Sequence, residues 1–288
     1  MKVVKEIPVK GSKQRLMGTD VFYEEEKGAL PVVIYIHGFN GLKDWGNFDL
    51  IAKQFAAAGF FFVKMNMSHN GATLDSPLEF ADPEAFGQNN YTTELFDVEQ
   101  ILNWVCNPEN PFQELINPDK IMLLGHSRGG GIAILKASED KRVKGLITWA
   151  SIAECKTPWG SMAKVKMDAW KAEGVMYYTN QRTKQRLPMY YQLFEDYKAN
   201  EERLNIRKAI STLTIPVLIC HGTNDPAVPY SKALDLHRWQ PHSTLVSVDA
   251  DHVFGRSHPW TSDLLPQPMQ TIVDESMLFL KQNFADLR

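Results

Sequence analysis

Ile121-Met122-Leu123-Leu124-Gly125-His126-Ser127-Arg128-Gly129-Gly130-Gly131 is the stretch on which the reading of this sequence turns. Four apolar residues of strand character run into a serine with glycine two positions before it and two after, and an amphipathic stretch at 132–137 follows. A serine whose Oγ must stand clear of a sheet needs a very sharp strand-to-helix turn with strained backbone angles, and glycine at those two positions removes the Cβ atoms that would collide there. The helix that begins just beyond Ser127 would aim its positive N-terminal end at a site where negative charge develops. The competing reading is a glycine-rich turn with an incidental serine. The catalytic reading requires a strand before and a helix after, and the sequence offers both.

On the N-terminal side, residues 32–36 (Val-Val-Ile-Tyr-Ile) run directly into His37-Gly38-Phe39-Asn40-Gly41. A strand ending in a glycine-punctuated loop can turn a main-chain N–H into the mouth of the sheet, so the N–H groups of Phe39 and Arg128 are the expected oxyanion hole. The bland alternative is that His37-Gly38 merely ends a strand.

Toward the C-terminus, residues 217–220 lead into His221-Gly222-Thr223-Asn224-Asp225-Pro226, and residues 244–248 lead into Asp249-Ala250-Asp251-His252. Both loops fall at the C-terminal ends of strands, where parallel sheets assemble their sites. Asp225 is therefore the expected orienting acid and His252 the expected base. A serine hydroxyl is a poor nucleophile until a neutral imidazole takes its proton, and a carboxylate fixes the tautomer of that imidazole. His258, His37 and His69 compete as bases, His258 most seriously, because it lies six residues further along a loop. Asp249 and Asp251 compete as acids but flank His252 so closely that reaching its far nitrogen is awkward. His126 is expected to pack at the turn.

The rest of the chain repeats one rhythm. Residues 2–9 and 15–23 alternate well enough to form an antiparallel hairpin turning near Gly11. Apolar runs at 32–36, 60–65, 121–124, 145–149, 217–220 and 244–248 then alternate with amphipathic stretches at 48–58, 94–105, 132–137, 231–239 and 269–284. Strands that are apolar on both faces and separated by helices predict an α/β fold with a mostly parallel sheet covered on both sides. Residues 154–205 break the pattern. They carry aromatics and scattered cations without a clean strand–helix unit, and are too long for an ordinary connection. The expected organisation is a core of residues 1–153 and 206–288 with an inserted lid at 154–205, in which Trp159, Tyr177 and Tyr190 are the candidate substrate-binding residues. The alternative is that the lid aromatics simply pack it against the core while its cations face solvent.

With 288 residues, 44% apolar and 23% charged, the chain can bury a sizeable core. A net charge of −3 argues against a nucleic-acid partner. The N-terminus lacks the apolar run of a signal peptide, and no stretch has the length of a membrane helix. Cys106, Cys155 and Cys220 show no metal-ligand spacing and fit a reducing compartment. A cytoplasmic location is expected, with no cofactor, no metal, no nucleic-acid or membrane partner, and a homodimer left open.

HGFNG, GHSRGG, HGTNDPAVP and DADHVFG together resemble the α/β-hydrolase superfamily and cover the chain from about Val32 to its end, apart from the insertion. Within it the chain is most similar to dienelactone hydrolases, feruloyl or cinnamoyl esterases and the catalytic domain of prolyl oligopeptidases. The resemblance implies an eight-stranded α/β-hydrolase sheet, and its insertion resembles the lid of cinnamoyl-type esterases. Two features depart from the relatives. Dienelactone hydrolases carry cysteine where Ser127 stands, and prolyl oligopeptidases carry a large N-terminal propeller where only about 30 residues precede His37-Gly38 here. The function implied is a serine hydrolase cleaving carboxylic esters of small to medium acyl groups, its partner a small-molecule ester. A prolyl oligopeptidase-like peptidase, a thioesterase or an acyltransferase uses the same trio, and a non-catalytic binding module is the alternative from another class.

Overall fold

The computed structural model describes residues 1–25 and 28–284. The N-terminal alternation folds as β1 (Lys2–Lys10) and β2 (Leu16–Tyr23), joined by a tight 3₁₀ turn at Ser12–Gln14. The core continues as β3 (Leu30–Ile36), α1 (Phe48–Ala57), β4 (Phe61–Met65), α2 (Pro83–Gly87), α3 (Tyr91–Val105), β5 (Ile116–His126), α4 (Arg128–Glu139) and β6 (Val143–Trp149). The expected insertion holds α5 (Lys164–Glu173), β7 (Val175–Thr179), β8 (Arg186–Tyr190) and α6 (Gln192–Ala199). Then come α7 (Ile206–Ser211), β9 (Val217–Gly222), α8 (Ser231–Trp239), β10 (Thr244–Val248) and α9 (Gln267–Phe284).

Eight strands form one sheet in the order β1-β2-β4-β3-β5-β6-β9-β10, and β7 and β8 form a separate hairpin. β2 pairs antiparallel with both of its neighbours, whereas every pair from β4 to β10 is parallel. The mostly parallel sheet predicted from doubly apolar strands is therefore present. Val32, Ile34 and Ile36 of β3 enter one apolar cluster while Val33 and Tyr35 enter the other. A period of two with both sets buried is what a sheet covered on each face demands. α1 and α9 cover one face through Ile51, Phe55, Ile272 and Leu280. α3, α4, α7 and α8 cover the other through Leu95, Ile132, Ile206 and Leu236. Lys2, Lys5 and Lys10 lie along the edge strand β1, where charge discourages pairing with another chain.

The region without a readable rhythm has its own order. Trp170 of α5 is buried and donates from Nε1 to the Met189 carbonyl of β8 at 2.8 Å. Trp159 packs edge-on against Tyr91 of α3 and Phe194 of α6. An aromatic seam thus holds the insertion to the core. Among the described residues no helix is long and apolar enough to cross a membrane.

Candidate active site

The turn between β5 and α4 places Ser127 at φ 57°, ψ −122°, a left-handed backbone for a residue with a Cβ. A Cβ at Gly125 would come within 2.2 Å of the Gly129 carbonyl oxygen, and one at Gly129 within 2.4 Å of the Ile36 oxygen. Glycine at both positions is thus a consequence of close backbone approach, as the motif predicted. Main-chain bonds hold the turn from the neighbouring strand, with Ser127 N–H donating to the Trp149 carbonyl at 2.9 Å.

Two further strand ends deliver the partners. β9 ends in the loop carrying Asp225 and β10 in the loop carrying His252, and these strands are paired in parallel, so both loops leave the same sheet edge. His252 Nε2 lies 2.9 Å from Ser127 Oγ, and His252 Nδ1 lies 2.7 Å from Asp225 Oδ2. The other oxygen of Asp225 accepts from the N–H groups of Ala227 and Val228, each at 2.8 Å. Burial pushes the Asp225 carboxyl up, but hydrogen bonds from His221, His252 and the Val228 amide outweigh it and hold the group well below the usual carboxylate range. Asp225 is therefore an anion under ordinary conditions. The arrangement can move a proton from the hydroxyl to the imidazole while a fixed negative charge faces the other ring nitrogen.

The rival histidines and carboxylates are occupied elsewhere. His258 Nδ1 accepts from Gly46 N–H at 3.0 Å, with its ring stacked on Trp45. His37 Nε2 accepts from Met67 N–H at 3.2 Å while its Nδ1 faces the Gly38 carbonyl at 2.9 Å, and burial lowers its pKa to about 4. His69 pairs with Ser68. Asp251 turns back on Val253 and Gly255, and Asp249 accepts from Asn224. His126 packs at the turn as expected. Its Nε2 meets the His252 carbonyl at 2.9 Å, and burial, with His252 alongside, holds its pKa well below the usual value.

Sequence reasoning missed His221. This residue is fully buried, and its Nε2 lies 3.2 Å from Asp225 Oδ2 and 2.8 Å from the Val228 carbonyl. Asp225 is thus gripped by two imidazoles. The signal was present in the His-Gly pair that ends β9, but nothing in the sequence separates such a histidine from one that only fills space.

A cavity of about 170 Å³ lies beside the trio, lined by Ser127, His252, Gly38, Phe39, Trp45 and Arg182 among others. Phe39 and Arg128, the two expected oxyanion donors, follow β3 and Ser127, and neither main-chain N–H meets an acceptor among the described residues. The Arg128 side chain is not among those lining the cavity, although its guanidinium lies 5.7 Å over the ring of Phe39, which is one of them. Arg128 is buried, with its Nε 2.9 Å from Glu94 and its guanidinium 3.9 Å over the Tyr91 ring.

The expected substrate-binding aromatics Trp159, Tyr177 and Tyr190 do not line this cavity. Trp159 is buried in the aromatic seam, Tyr177 lies exposed under the Arg186 guanidinium, and Tyr190 donates to Glu84 at 2.6 Å. The reason for Tyr177 is strand periodicity, since adjacent residues face opposite sides. Tyr178 takes the inward face and meets the Phe39 ring edge-on at 5.7 Å. The insertion reaches the cavity through the turn between β7 and β8. Asn180 Nδ2 donates to Asn40 Oδ1 at 2.7 Å, and Arg182 stacks over Trp45 at 3.9 Å. Larger clefts of about 300, 350 and 400 Å³ border the insertion, but neither Ser127 nor His252 lines them, so their size carries no chemistry.

A family model described as BD-FAE matches residues 19–240. No curated protein matches the chain in sequence. Among solved structures, Est1E from Butyrivibrio proteoclasticus with ferulic acid bound is 15% identical, with a TM-score of 0.70 over 97% of this chain and 100% of that one. The esterase domain of a Rhodothermus marinus protein is 15% identical, with a TM-score of 0.65 over 98% of this chain and 99% of that one. A puromycin-hydrolyzing peptidase of Mycobacterium tuberculosis is 14% identical, with a TM-score of 0.64, and 98% of this chain covers 39% of that longer one.

Proposed function

The chain belongs to the BD-FAE family and is an ester-hydrolysing α/β hydrolase, and from that premise we propose that Ser127, His252 and Asp225 cleave carboxylic esters through an acyl-enzyme. Ser127 Oγ attacks the ester carbonyl carbon as its proton passes to His252 Nε2. The resulting oxyanion is held by the N–H groups of Phe39 and Arg128, each worth about 2.7–4 kcal/mol of transition-state stabilisation. Collapse of the tetrahedral intermediate breaks the bond to the alkoxy oxygen, which leaves as the alcohol with the proton from Nε2. Water then repeats the sequence on the acyl-serine, giving up its proton to His252 and releasing the acid. Asp225 stays ionised throughout and fixes the ring with Nδ1–H toward itself.

The observation carrying this reading is the unbroken hydrogen-bonded chain from Asp225 through His252 to Ser127 Oγ. A cavity of about 170 Å³ is well below the roughly 300 Å³ and upward of whole-ligand sites, which suits one small to medium arm of an ester. Residues 154–205 act as a lid on the core formed by 1–153 and 206–288, reaching the site through Tyr178, Asn180 and Arg182. Turnover of p-nitrophenyl acetate tests the proposal. Wild type is expected to release nitrophenol continuously and Ser127→Ala to fall to the uncatalysed rate; equal rates would refute it.

A further inference from the structure

The cavity beside Ser127 carries two arginines that the hydrolytic chemistry does not use. Arg256 stands four residues after His252 on the same loop and lines the cavity, its guanidinium 4.5 Å over the Phe48 ring. Its Nη1 is buried and has no hydrogen-bond partner. Arg182 enters from the turn between β7 and β8, on a different part of the fold, and lines the same cavity with its guanidinium over Trp45. No aspartate or glutamate lines the cavity, and neither arginine forms an ion pair among the described residues. Asp251 is the carboxylate whose charge reaches Arg256, but its Oδ1 is bound to the Val253 and Gly255 amides. From the sheet, the Tyr35 hydroxyl is hydrogen-bonded to the Arg256 guanidinium, which leaves Nη1 unmet.

A guanidinium is permanently charged and presents a planar fork of donors, so burying part of it beside aromatic rings without an anion is unfavourable. Burial accordingly pushes the Arg256 guanidinium below its ordinary value, with Tyr35 and Asp251 only partly opposing it, and Arg256 in turn disfavours the charge on Arg182. Two cations on separate elements that repel each other across one small cavity form a site completed by a carboxylate, which each can meet with paired hydrogen bonds.

We propose that this enzyme is selective for esters bearing a free carboxylate a few atoms from the scissile carbonyl, bound between Arg256 and Arg182. The proposal rests on the ester hydrolysis assigned above and names its substrate class. The carboxylate is compact enough for the cavity, while the aromatic walls formed by Phe39, Trp45 and Phe48 pack the carbon chain that connects it to the carbonyl. Arg182, placed by the Asn180-capped turn, makes selectivity depend on the insertion's being seated on the oxyanion loop.

The test compares anionic esters with neutral esters of the same shape, read by acid release in a pH-stat. Monomethyl succinate against methyl 4-methylpentanoate puts the charge on the acyl side; O-acetylglycolate against isobutyl acetate puts it on the alcohol side. In one pair kcat/KM is expected to favour the anion by at least about tenfold, a preference that shrinks as salt is raised. Arg256→Met and Arg182→Gln are each expected to lower that ratio severalfold, and Arg256→Lys to restore part of it. The ratio, not the absolute rate, is the readout, so a general loss of activity does not imitate the result. Hydrolysis of the neutral esters without preference for the anion in either pair, or a ratio unmoved by both arginine variants, would overturn the carboxylate site while leaving ester hydrolysis intact. Failure to hydrolyse any of the four esters or p-nitrophenyl acetate would instead remove the function on which the proposal rests.

Discussion

Ser127 holds a left-handed backbone that a non-glycine residue adopts only when its surroundings compel it, and the bond to Trp149 together with glycine at 125 and 129 does so. Gly129→Ala would drive a methyl into the carbonyls of Ile36 and His37 and so push the loop carrying Phe39 away from the elbow. At Asp225 the arithmetic is electrostatic. Asp225→Asn keeps the shape but lets the imidazole take the wrong tautomer, and kcat on the substrate is expected to fall by on the order of 10⁴-fold. His221→Leu removes the second imidazole from Asp225 and is expected to lower kcat by about tenfold with little change in KM, because an ionic hydrogen bond contributes about 1.5–3 kcal/mol. His221→Gln, which can still donate, should recover part of that loss. A His221→Leu enzyme with wild-type kcat would make this residue mere filling. Ser127, Asp225 and His252 were legible in the sequence because each follows an apolar run at a strand's C-terminal end. His221 was not, because a grip on the orienting acid depends on two loops whose approach only the fold determines.

Among the elements, β3, β5, β6 and β9 were readable as continuous apolar runs, since both of their faces are buried. The hairpin of β7 and β8 was not. Its strands are five residues each and half exposed, so Val175-Met176-Tyr177-Tyr178 alternates in facing but not in polarity. That blurred pattern leaves Tyr177 and its inward neighbour Tyr178 indistinguishable in the sequence. β1 hides a different irregularity. Its register shifts between Val4 and Ile7, with Glu6 at φ 54°, and this bulge turns the Glu6 carboxylate toward Lys43 Nζ at 2.6 Å. The tie between the insertion and the oxyanion loop also belongs to this scale. Asn180 is buried, its Oδ1 caps the hairpin turn through Arg182 and Thr183 N–H, and its Nδ2 reaches Asn40. Asn180→Ala is expected to lower kcat/KM by about tenfold and to speed amide hydrogen exchange across residues 175–190, while the melting temperature moves by only a few degrees. Unchanged exchange in that segment would show that the turn does not depend on this tie.

Across the whole molecule, two features set the response to charge and acid. Beneath the loop after β3, Lys43, Lys64 and Asp20 are all fully buried. Lys43 Nζ sits among Glu6, Asp20 and Asp44, and Lys64 bonds Asp44 and Asp49. Burial pushes the Lys43 ammonium down, but Asp20 and Asp44 outweigh it and hold it above the usual lysine value. Lys43→Met should destabilise the fold by about 3–5 kcal/mol, because Asp20 loses a cation at 2.8 Å and keeps the more distant Lys64 at 3.4 Å and Lys5 at 4.0 Å. Adding Asp20→Leu should recover much of this in urea unfolding; no recovery would mean that packing, not the stranded charge, sets the cost. Acid acts through the buried histidines: His37 and His69 are each lowered from 6.5 to about 4, by burial first and then by nearby cations, and burial lowers His126 and His258 in the same direction. Between those values the unfolded chain binds more protons than the native one, so stability falls as pH drops from about 6.5 to 4, by up to about 1.4 kcal/mol per unit per histidine. Asp97, raised by burial to about 6, works the other way between about 4 and 6 and offsets part of one histidine's effect. His37→Gln is expected to flatten the urea-midpoint profile in that window, and an unchanged slope would place the sensitivity elsewhere.

Activation of a single serine by the convergence of three loops is open to covalent trapping. Incubation with an alkyl fluorophosphonate, followed by intact mass and peptide mapping, is predicted to show one adduct per chain, on the peptide containing Ser127. Adduct formation should be abolished in Ser127→Ala and slowed by several orders of magnitude in His252→Ala. An unmodified protein, an adduct on a different residue, or equal labelling rates with and without the imidazole would mean that Ser127 is not a nucleophile activated by His252.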